Sequence, residues 1–328
     1  MPQEIVYLSR GDVESIDLGM AEIIDRVTFA LAERGHGRSA MPPKPALHPG
    51  EPGTDNFLHA MPAYLPGLPA VGIKWVGGYP NNFTRGLPYI SGLLILNHPD
   101  TGLPIAVMDC TWITAMRTAA ATAVASRHLA VENPQALGIL GAGVQGRTNL
   151  QSLMVVHPNL QEVRVYDVRP ENTRAYIREM QETFPGLGFS ATSTPREAVS
   201  GADIIVTAGP ILRQPRPVIE PDWLSAGALG VALDYDSYWQ PETMRTADLF
   251  ITDDRSQLLH TRSEGYFKDV PEIDADLCEI CAGLKPGRQA PEQRIVCMNL
   301  GLAIHDIATA SRILELAREK GIGRSLPL

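Results

Sequence analysis

The stretch ALGILGAGVQGRTNL, residues 136–150, carries the strongest structural signal in the sequence. Three glycines, Gly141, Gly143 and Gly146, separate a short apolar run from a segment that favours a helix. A strand, a Gly-x-Gly-x-x-Gly loop and a helix in this order are typical of dinucleotide binding, because the helix N-terminus offers unpaired N–H groups to phosphates. Gly141 then permits the tight turn, Gly143 lets the backbone approach the pyrophosphate, and Gly146 lets the helix lie against the sheet.

An acidic residue on the next predicted strand supports this interpretation. Asp167 lies in EVRVYDV, 21 residues after Gly146. A carboxylate at that spacing accepts hydrogen bonds from ribose hydroxyls, and its charge repels a 2′-phosphate, so NAD is favoured over NADP. Arg169 keeps NADP open, and a turn without any ligand is the structural alternative. Further predicted cofactor contacts flank the loop or end nearby segments: Thr118, Val144, Gln145, Thr207 and Asn299.

Strand and helix patterns alternate from Pro134 onward. Short apolar segments read as strands and longer mixed segments as helices, which predicts an α/β fold with a doubly wound parallel sheet of the Rossmann type. The five predicted core strands are ALGIL, EVRVYDV, ADIIVTAG, ALGVALD and DLFITDD. The preceding part predicts an α+β domain, with a helix capped by Asp17 and stopped at Gly35. An amphipathic C-terminal helix returns to complete that domain, which gives predicted domains of 1–130 plus 305–328 and of 131–304.

Composition excludes several classes of protein. The net charge of -9 leaves no basic surface for nucleic acid, and no apolar run approaches the roughly 20 residues that span a bilayer. The N-terminus lacks the layout of a signal peptide, and four cysteines in a chain of 328 residues indicate the reducing cytoplasm. Cys278 and Cys281 form a single C-x-x-C without a second ligand pair, so we predict packing and no metal site.

Four more stretches, taken with the glycine loop, resemble the ornithine cyclodeaminase/mu-crystallin family over nearly the whole chain. They are KWVGGYPNN (74–82), GLPYISG (86–92), AMRTAAATAVA (115–125) and NLGLAIHDIA (299–308). The resemblance implies a homodimer, an N-terminal substrate-binding and dimerisation domain, a second domain that binds NAD(P), and chemistry at a carbon–nitrogen bond. MPPKPALHPG, HAMPAY and ALDYDSYW are most similar to the branch that is named after tyramine oxidase, which adds an amine oxidase as a possible partner.

The resemblance also implies catalytic residues. The family lysine matches Lys74, the arginine that holds the substrate carboxylate matches Arg117, and the catalytic aspartate matches Asp236 in an ungapped alignment. Asp234 is the alternative if the strand is shifted by two residues, which preserves the side-chain direction. Each has a structural alternative: an exposed strand-end lysine, an ion pair with a protein carboxylate, and a helix or turn cap.

Three predicted substrate-binding residues depart from the family pattern. Lys44 replaces an arginine, so a point charge stands where a planar fork captures a carboxylate. His59 replaces a glutamate, and Tyr89 replaces a threonine; "DYDSYW" also lacks the usual Pro-Gly-Lys. Together the changes argue against a plain ornithine cyclodeaminase and for an amine or imine with a bulkier group. The other histidines, such as His305, are predicted to be surface or core residues.

Three functions therefore follow as hypotheses. The leading one is an NAD(P)-dependent oxidoreductase that reduces an imine or ketimine, or oxidises an amine or amino acid, of small size. The second is a cyclodeaminase-like lyase that retains NAD and releases ammonia. The third is a non-catalytic partner of an amine oxidase.

Overall fold

The computed structural model describes residues 4–51, 53–68 and 70–328. These residues form two compact units: a first unit of Met1–Arg117 with Leu302–Leu328, and a second unit of Thr118–Gly301. The first boundary lies inside the helix Thr111–Leu129, rather than after that helix at residue 130 as expected, and the other lies at 301 instead of 304. The assignment of substrate binding and dimerisation to the first unit stays a prediction.

Fifteen strands lie in the part of the chain that the structure describes. In chain order they are β1 (Glu4–Leu8), β2 (Ala46–Leu47), β3 (Phe57–Leu65), β4 (Ala70–Gly78), β5 (Ile90–Asn97), β6 (Pro104–Asp109), β7 (Ala136–Leu140), β8 (Glu162–Tyr166), β9 (Gly188–Ala191), β10 (Ile204–Thr207), β11 (Leu229–Ala232), β12 (Leu249–Thr252), β13 (Ala275–Asp276), β14 (Ile295–Met298) and β15 (Arg324–Pro327).

Ten α-helices accompany them within the same described ranges. They are α1 (Arg10–Ser15), α2 (Met20–Gly35), α3 (Thr111–Leu129), α4 (Val144–Val156), α5 (Pro170–Thr183), α6 (Pro195–Val199), α7 (Pro241–Arg245), α8 (Arg255–Ser263), α9 (Leu277–Cys281) and α10 (Ala303–Lys320). Short 3-10 helices span Pro80–Arg85 and Pro221–Trp223. None of the helices in the described residues is both long and apolar enough to cross a bilayer.

The first unit is built on a seven-stranded sheet in the order β15-β1-β6-β5-β4-β3-β2. Only β1 and β6 pair in parallel; the other described pairs are antiparallel. Side chains alternate between the two faces along a strand, so residues that are paired on neighbouring strands point to the same face of the sheet. One face is buried, and a row of paired residues at its centre comprises Met61 of β3, Lys74 of β4, Leu94 of β5 and Met108 of β6.

Helix α10 covers this buried face, as the amphipathic tail predicted. The Ile307 side chain lies 3.1 Å from the position that a Cβ on Gly72 of β4 would occupy, and Arg312 Nε pairs with Glu22 of α2 at 2.6 Å. The expected cap of α2 is wrong: Asp17 has a φ of 53° and α2 begins after Gly19. The helix ends at Gly35, as expected.

The second unit holds an eight-stranded sheet in the order β13-β12-β14-β11-β10-β7-β8-β9, and every neighbouring pair is parallel. The chain runs outward from β7 through β8 and β9, then returns to β10 on the other side of β7. The order of the strands therefore reverses between β7 and β10, and ligands of such sheets bind at the carboxyl ends beside this switch point. The predicted α/β fold with a Rossmann-type sheet is confirmed.

Candidate active site

Three charged side chains meet inside the first unit. Lys74 Nζ lies 2.7 Å from Asp306 Oδ1, and Arg117 Nε lies 2.9 Å from the same oxygen. The middle of β4 supplies Lys74, α3 supplies Arg117 and the first turn of α10 supplies Asp306. Lys74 and Asp306 are completely buried and Arg117 is 5 % exposed, so an exposed strand-end role for Lys74 is excluded.

Burial and a neighbouring charge bring the pKa of Lys74 closer to neutral pH. Burial, and next the charge of Arg117, lower the pKa of the Lys74 ammonium from 10.5 to about 8, while Asp306 opposes that shift. Lys44 is a third buried cation of this unit, at 6 % exposure. Two cations share the single carboxylate of Asp306, so the cluster carries a net positive charge that an anionic ligand would balance.

His59 lies beside these cations on β3. Its ring stacks on Phe57 with the centroids 4.4 Å apart. Burial, and next the charges of Lys44 and Lys74, lower the pKa of His59 well below 6.5. A lowered pKa favours the neutral imidazole, which offers one hydrogen-bond donor and one acceptor in place of the charge of the glutamate that the family resemblance implies. The predicted role of His59 in substrate binding stays a prediction.

His305, predicted to be a surface or core residue, is a core residue next to the charged cluster. It is completely buried next to Asp306, and burial followed by the charge of Arg117 lowers its pKa well below 6.5. Neither ring nitrogen has a hydrogen-bond partner among the described residues, nor do Arg117 Nη1 and Asp306 Oδ2. Buried polar atoms without partners cost free energy, so these atoms fit a site that a ligand completes.

Asp306 is not among the predicted site residues, although the sequence held one signal for it. His305 and Asp306 stand side by side within AIHDIA, on a helix whose first three turns are otherwise mostly apolar and buried. A carboxylate on such a face needs a buried cation as partner. Nothing local identifies that cation, since Lys74 is 232 positions away.

We expect Asp306→Asn to lower the free energy of unfolding by about 3 kcal/mol, because it leaves Lys74 and Arg117 buried without a counter-charge. Urea unfolding near pH 7 measures the loss. The matched control is Glu22→Gln, which removes one of the two carboxylates that pair with Arg312, at a site 41 % exposed, and costs less than about 1 kcal/mol. Equal losses in the two variants would contradict a buried charge cluster.

Tyr89 is placed just before β5, half-buried, with its carbonyl accepting a hydrogen bond from the Tyr79 N–H at 2.9 Å. Thr118 is the first residue of the second unit and is also half-buried. The predicted roles of Tyr89 in substrate binding and of Thr118 in cofactor binding stay predictions.

The three glycines of the loop in the second unit differ in their surroundings: packing requires two of them, and the third faces open space. Gly141 has a φ of +108°, and a Cβ there would lie 2.5 Å from the Ala208 carbonyl oxygen; a Cβ at Gly146 would lie 2.4 Å from the Gly141 oxygen. The fold itself therefore requires both glycines. No described atom lies within 4 Å of a Cβ at Gly143, which caps α4 without a side-chain hydrogen bond. The open space and the N–H groups of the first turn of α4 fit a phosphate.

The Asp167 carboxylate is hydrogen-bonded to the glycine loop and to the segment that follows β8. Its Oδ2 accepts from the Ala142 N–H at 2.9 Å, and its Oδ1 accepts from the Arg169 N–H at 2.9 Å and from Asn172 Nδ2 at 3.1 Å. A carboxylate has about four acceptor positions, so one position is left for a further donor such as a ribose hydroxyl. Val144 and Gln145 are the first two residues of α4, and their contacts with a cofactor stay predictions.

Two carboxylates follow β11, and they differ in burial and in their hydrogen bonds. Asp234 is completely buried, and both oxygens are engaged: Oδ1 by Thr207 Oγ1 at 2.7 Å and Oδ2 by the Gly209 N–H at 2.8 Å. Burial raises the pKa of Asp234 to about 7. Asp236 is half-buried, and its Oδ1 has no partner in the described ranges. The geometry thus favours Asp236 as the reactive carboxylate and Asp234 as a support for Thr207.

Asn299 follows β14, and its side chain is 4 % exposed. Its N–H donates to the Ala232 carbonyl at 2.9 Å, while Nδ2 lacks a partner among the described residues. A buried amide nitrogen without an acceptor fits the predicted contact to a cofactor.

The C-x-x-C cysteines pack inside the second unit. The Cys278 thiol is buried and donates to the Asp253 carbonyl at 3.1 Å, and burial raises the pKa of Cys278 well above 9. No group of three His, Cys, Asp or Glu side chains suited to a metal ion occurs in the residues that the structure describes.

The fold, the glycine loop and the buried charged cluster define a class of protein. Its members join a Rossmann-type dinucleotide-binding unit and a unit with a buried cationic site in one chain. The chain belongs to the ornithine cyclodeaminase/mu-crystallin family, whose model matches residues 4–321. It is 34 % identical to the alanine dehydrogenase of Archaeoglobus fulgidus over 98 % of both chains. The chain is an enzyme of this family.

Solved structures agree with this assignment. The Δ1-pyrroline-2-carboxylate reductase of Thermococcus litoralis, in complex with NADH and L-proline, matches with a TM-score of 0.88 and 32 % identity, over 98 % of this chain and 99 % of that one. A dimeric archaeal alanine dehydrogenase with bound NAD matches with a TM-score of 0.87 and 31 % identity, over 99 % and 100 % of the two chains.

Proposed function

We propose that the protein is an NAD-dependent oxidoreductase that interconverts a small imine or ketimine and the corresponding amine or amino acid. One observation carries the proposal: a fully buried lysine shares a carboxylate with a buried arginine. The burial lowers the pKa of the lysine to about 8. Reduction of a C=N bond needs a proton donor of this kind and a cation that orients an anionic substrate. The names of the relatives support the same chemistry.

NAD is the cofactor that the second unit fits. The backbone of Gly141, Gly143 and Gly146 and the N-terminus of α4 would hold the pyrophosphate, and Asp167 would accept from the ribose. Thr207 and Asn299 would contact the cofactor at the ends of β10 and β14. The nicotinamide ring, when bound, supplies or accepts a hydride at the substrate carbon. Arg169 is the residue that would have to serve NADP.

The protein's own residues manage charge and protons. Arg117 binds the substrate carboxylate through its free Nη1, and Lys44 adds a second positive charge. The Lys74 ammonium donates a proton to the substrate nitrogen during reduction and takes it back during oxidation. Asp236 provides a carboxylate that stabilises a positively charged iminium.

Mixing the protein with NADH and a panel of cyclic ketimines, or of keto acids with amines, tests the proposal. We expect loss of the reduced-nicotinamide absorbance with at least one member. Ammonia release from a diamino acid without net change of NADH would favour the lyase instead. A flat trace over the whole panel, with NADH shown to bind, would contradict the oxidoreductase.

A homodimer through the outer face of the first unit's sheet is part of the proposal. Trp75 and Leu93 pair directly across β4 and β5 on that face and are 43 % and 47 % exposed, and Ile95 lies two residues from Leu93 on the same face of β5. A contiguous exposed apolar patch marks an interface, and the dimeric relative supports this one. We expect Trp75→Glu with Leu93→Glu to yield monomers in light scattering. Leu259→Glu, at an equally exposed leucine, is the control and should leave a dimer; a dimeric double variant would contradict the assignment.

Membership of the branch named after tyramine oxidase, an amine oxidase partner and a cytoplasmic location complete the proposal. The stretches quoted for the branch support the first two. The four cysteines, none of which forms a disulfide, support the third.

A further inference from the structure

The segment DYDSYW, residues 234–239, departs from the family pattern, and the structure places three of its side chains at the carboxyl edge of the second unit's sheet. Asp234 binds Thr207 and Gly209, as described above. Trp239 is completely buried and donates from Nε1 to Thr207 Oγ1 at 3.1 Å. Both side chains are hydrogen-bonded to Thr207 at the end of β10, which leaves the role of Tyr238 to be explained.

The Tyr238 ring lies against Gly209. A Cβ at Gly209 would be 2.7 Å from Tyr238 Cε2 and 3.3 Å from its Oη, so only glycine leaves room for the ring. The backbone of Tyr238 is fixed, because its carbonyl accepts from the N–H groups of Val218 and Ile219 at 2.9 and 2.8 Å. The side chain is half-buried. A half-buried aromatic ring on a hydrogen-bonded backbone therefore stands beside the end of β10.

The glycine loop links the neighbourhood of the ring to the end of β8, because the Gly209 nitrogen lies 3.1 Å from the position of a Cβ on Gly141 and Asp167 accepts from the Ala142 N–H at 2.9 Å. Burial, and next the charges of Asp234 and Asp167, raise the pKa of the Tyr238 hydroxyl, and Tyr166 contributes in the same direction. Asp167 follows β8 and Gly209 follows β10, and β7 lies between these two strands. Tyr238 thus belongs to the switch point, on the side where Asp167 would hold the ribose of the adenosine half.

We propose that Tyr238 is a cofactor-binding residue whose ring packs on the adenosine half of NAD. This rests on the proposed cofactor. The phosphates at Gly143 and the ribose at Asp167 direct the adenosine to this end of the crevice, and a base placed there meets a fixed aromatic face. Stacking of a base on an aromatic side chain corresponds to a loss of about 10- to 100-fold in affinity when the ring is removed.

Binding titrations with three probes test the assignment: NADH, ADP-ribose for the adenosine half, and nicotinamide mononucleotide for the other half. We expect Tyr238→Leu to weaken NADH and ADP-ribose by the same factor, about 10- to 100-fold, and to leave the mononucleotide unchanged. Tyr238→Phe keeps the ring and should stay within about 2-fold of the wild type. Wild-type affinity of Tyr238→Leu for ADP-ribose, or an equal loss for the mononucleotide, would overturn the role of Tyr238.

Gly209→Ala gives the same test without removing the ring, because its methyl group would displace Tyr238. We expect it to weaken NADH and ADP-ribose and to leave the mononucleotide unchanged, and to add nothing to Tyr238→Leu in the double variant. An additive loss in the double variant would count against a shared contact. If wild-type protein binds none of the three probes, the proposed cofactor itself fails, which is a different outcome from unchanged binding in the variants.

Discussion

Replacement of Lys74 by methionine is expected to lower kcat/KM for imine reduction by about 10³-fold while NADH affinity stays unchanged. Proton donation by a positioned side chain contributes roughly this factor, and methionine has a similar length without a transferable proton. The residues that fit the cofactor belong to the second unit, whereas Lys74 belongs to the first. Initial rates and a separate NADH titration measure the two quantities. Lys320→Met, at an exposed lysine of α10, is the control.

The pH dependence of kcat/KM distinguishes proton donation by Lys74 from proton acceptance. Because the pKa of Lys74 is about 8, kcat/KM for reduction should fall as the pH rises through that value, since the ammonium is the donor. The oxidative direction should show the opposite limb, since the neutral amine is the acceptor. Both limbs should vanish in Lys74→Met. Limbs that persist in the variant would assign the titration to another group, such as Asp234.

The lowered pKa of Lys74 also affects the free energy of unfolding. The pKa of Lys74 is about 8 in the folded protein and 10.5 as its ordinary value, so the unfolded chain binds more protons between these pH values. The free energy of unfolding of the wild type should therefore rise with pH in that window, by about 3 kcal/mol relative to Lys74→Met. Urea unfolding at about pH 7.5 and about pH 10 measures this difference.

Local pattern was enough to predict the second unit's sheet and its glycine loop. Gly141 and Gly146 are required because the turn after β7 and the start of α4 pack closely against neighbouring backbone atoms. Asp167, which binds this loop, stands close to them along the chain. The apolar C-terminal helix face predicted its return to the first unit for the same reason. These features depend on contacts within short segments or on one amphipathic face.

Pairing between distant segments could not be read in this way. Strand β14 is a four-residue run, Ile295–Met298, that inserts between β11 and β12, and its length alone does not distinguish it from a loop. The partner of Lys74 is Asp306, and the domain boundary falls within α3 because that helix spans both units. Each depends on tertiary packing rather than on local preference.

Substitution of Gly143 by serine is expected to weaken NADH binding by about 100-fold without loss of stability. The side chain would occupy the open space above the loop, where the pyrophosphate backbone contact is expected. Its hydroxyl would also accept from the N–H of Gln145 or Gly146, since residue 143 is the N-cap of α4. The substitution thus removes both the room and the donors that a phosphate needs, at a backbone φ of -87° that serine adopts readily.

Serine is a better N-cap than glycine, so the free energy of unfolding of Gly143→Ser should equal or exceed that of the wild type by a few tenths of a kcal/mol. Gly146→Ser is the matched control: its Cβ would lie 2.4 Å from the Gly141 oxygen, so it should destabilise the fold by about 2 kcal/mol or more. Thermal unfolding and NADH titration on both variants separate the two effects. Retained NADH affinity in a stable Gly143→Ser variant would mean that the loop is a structural turn, because the loop glycine that packing does not require would then have no ligand to accommodate.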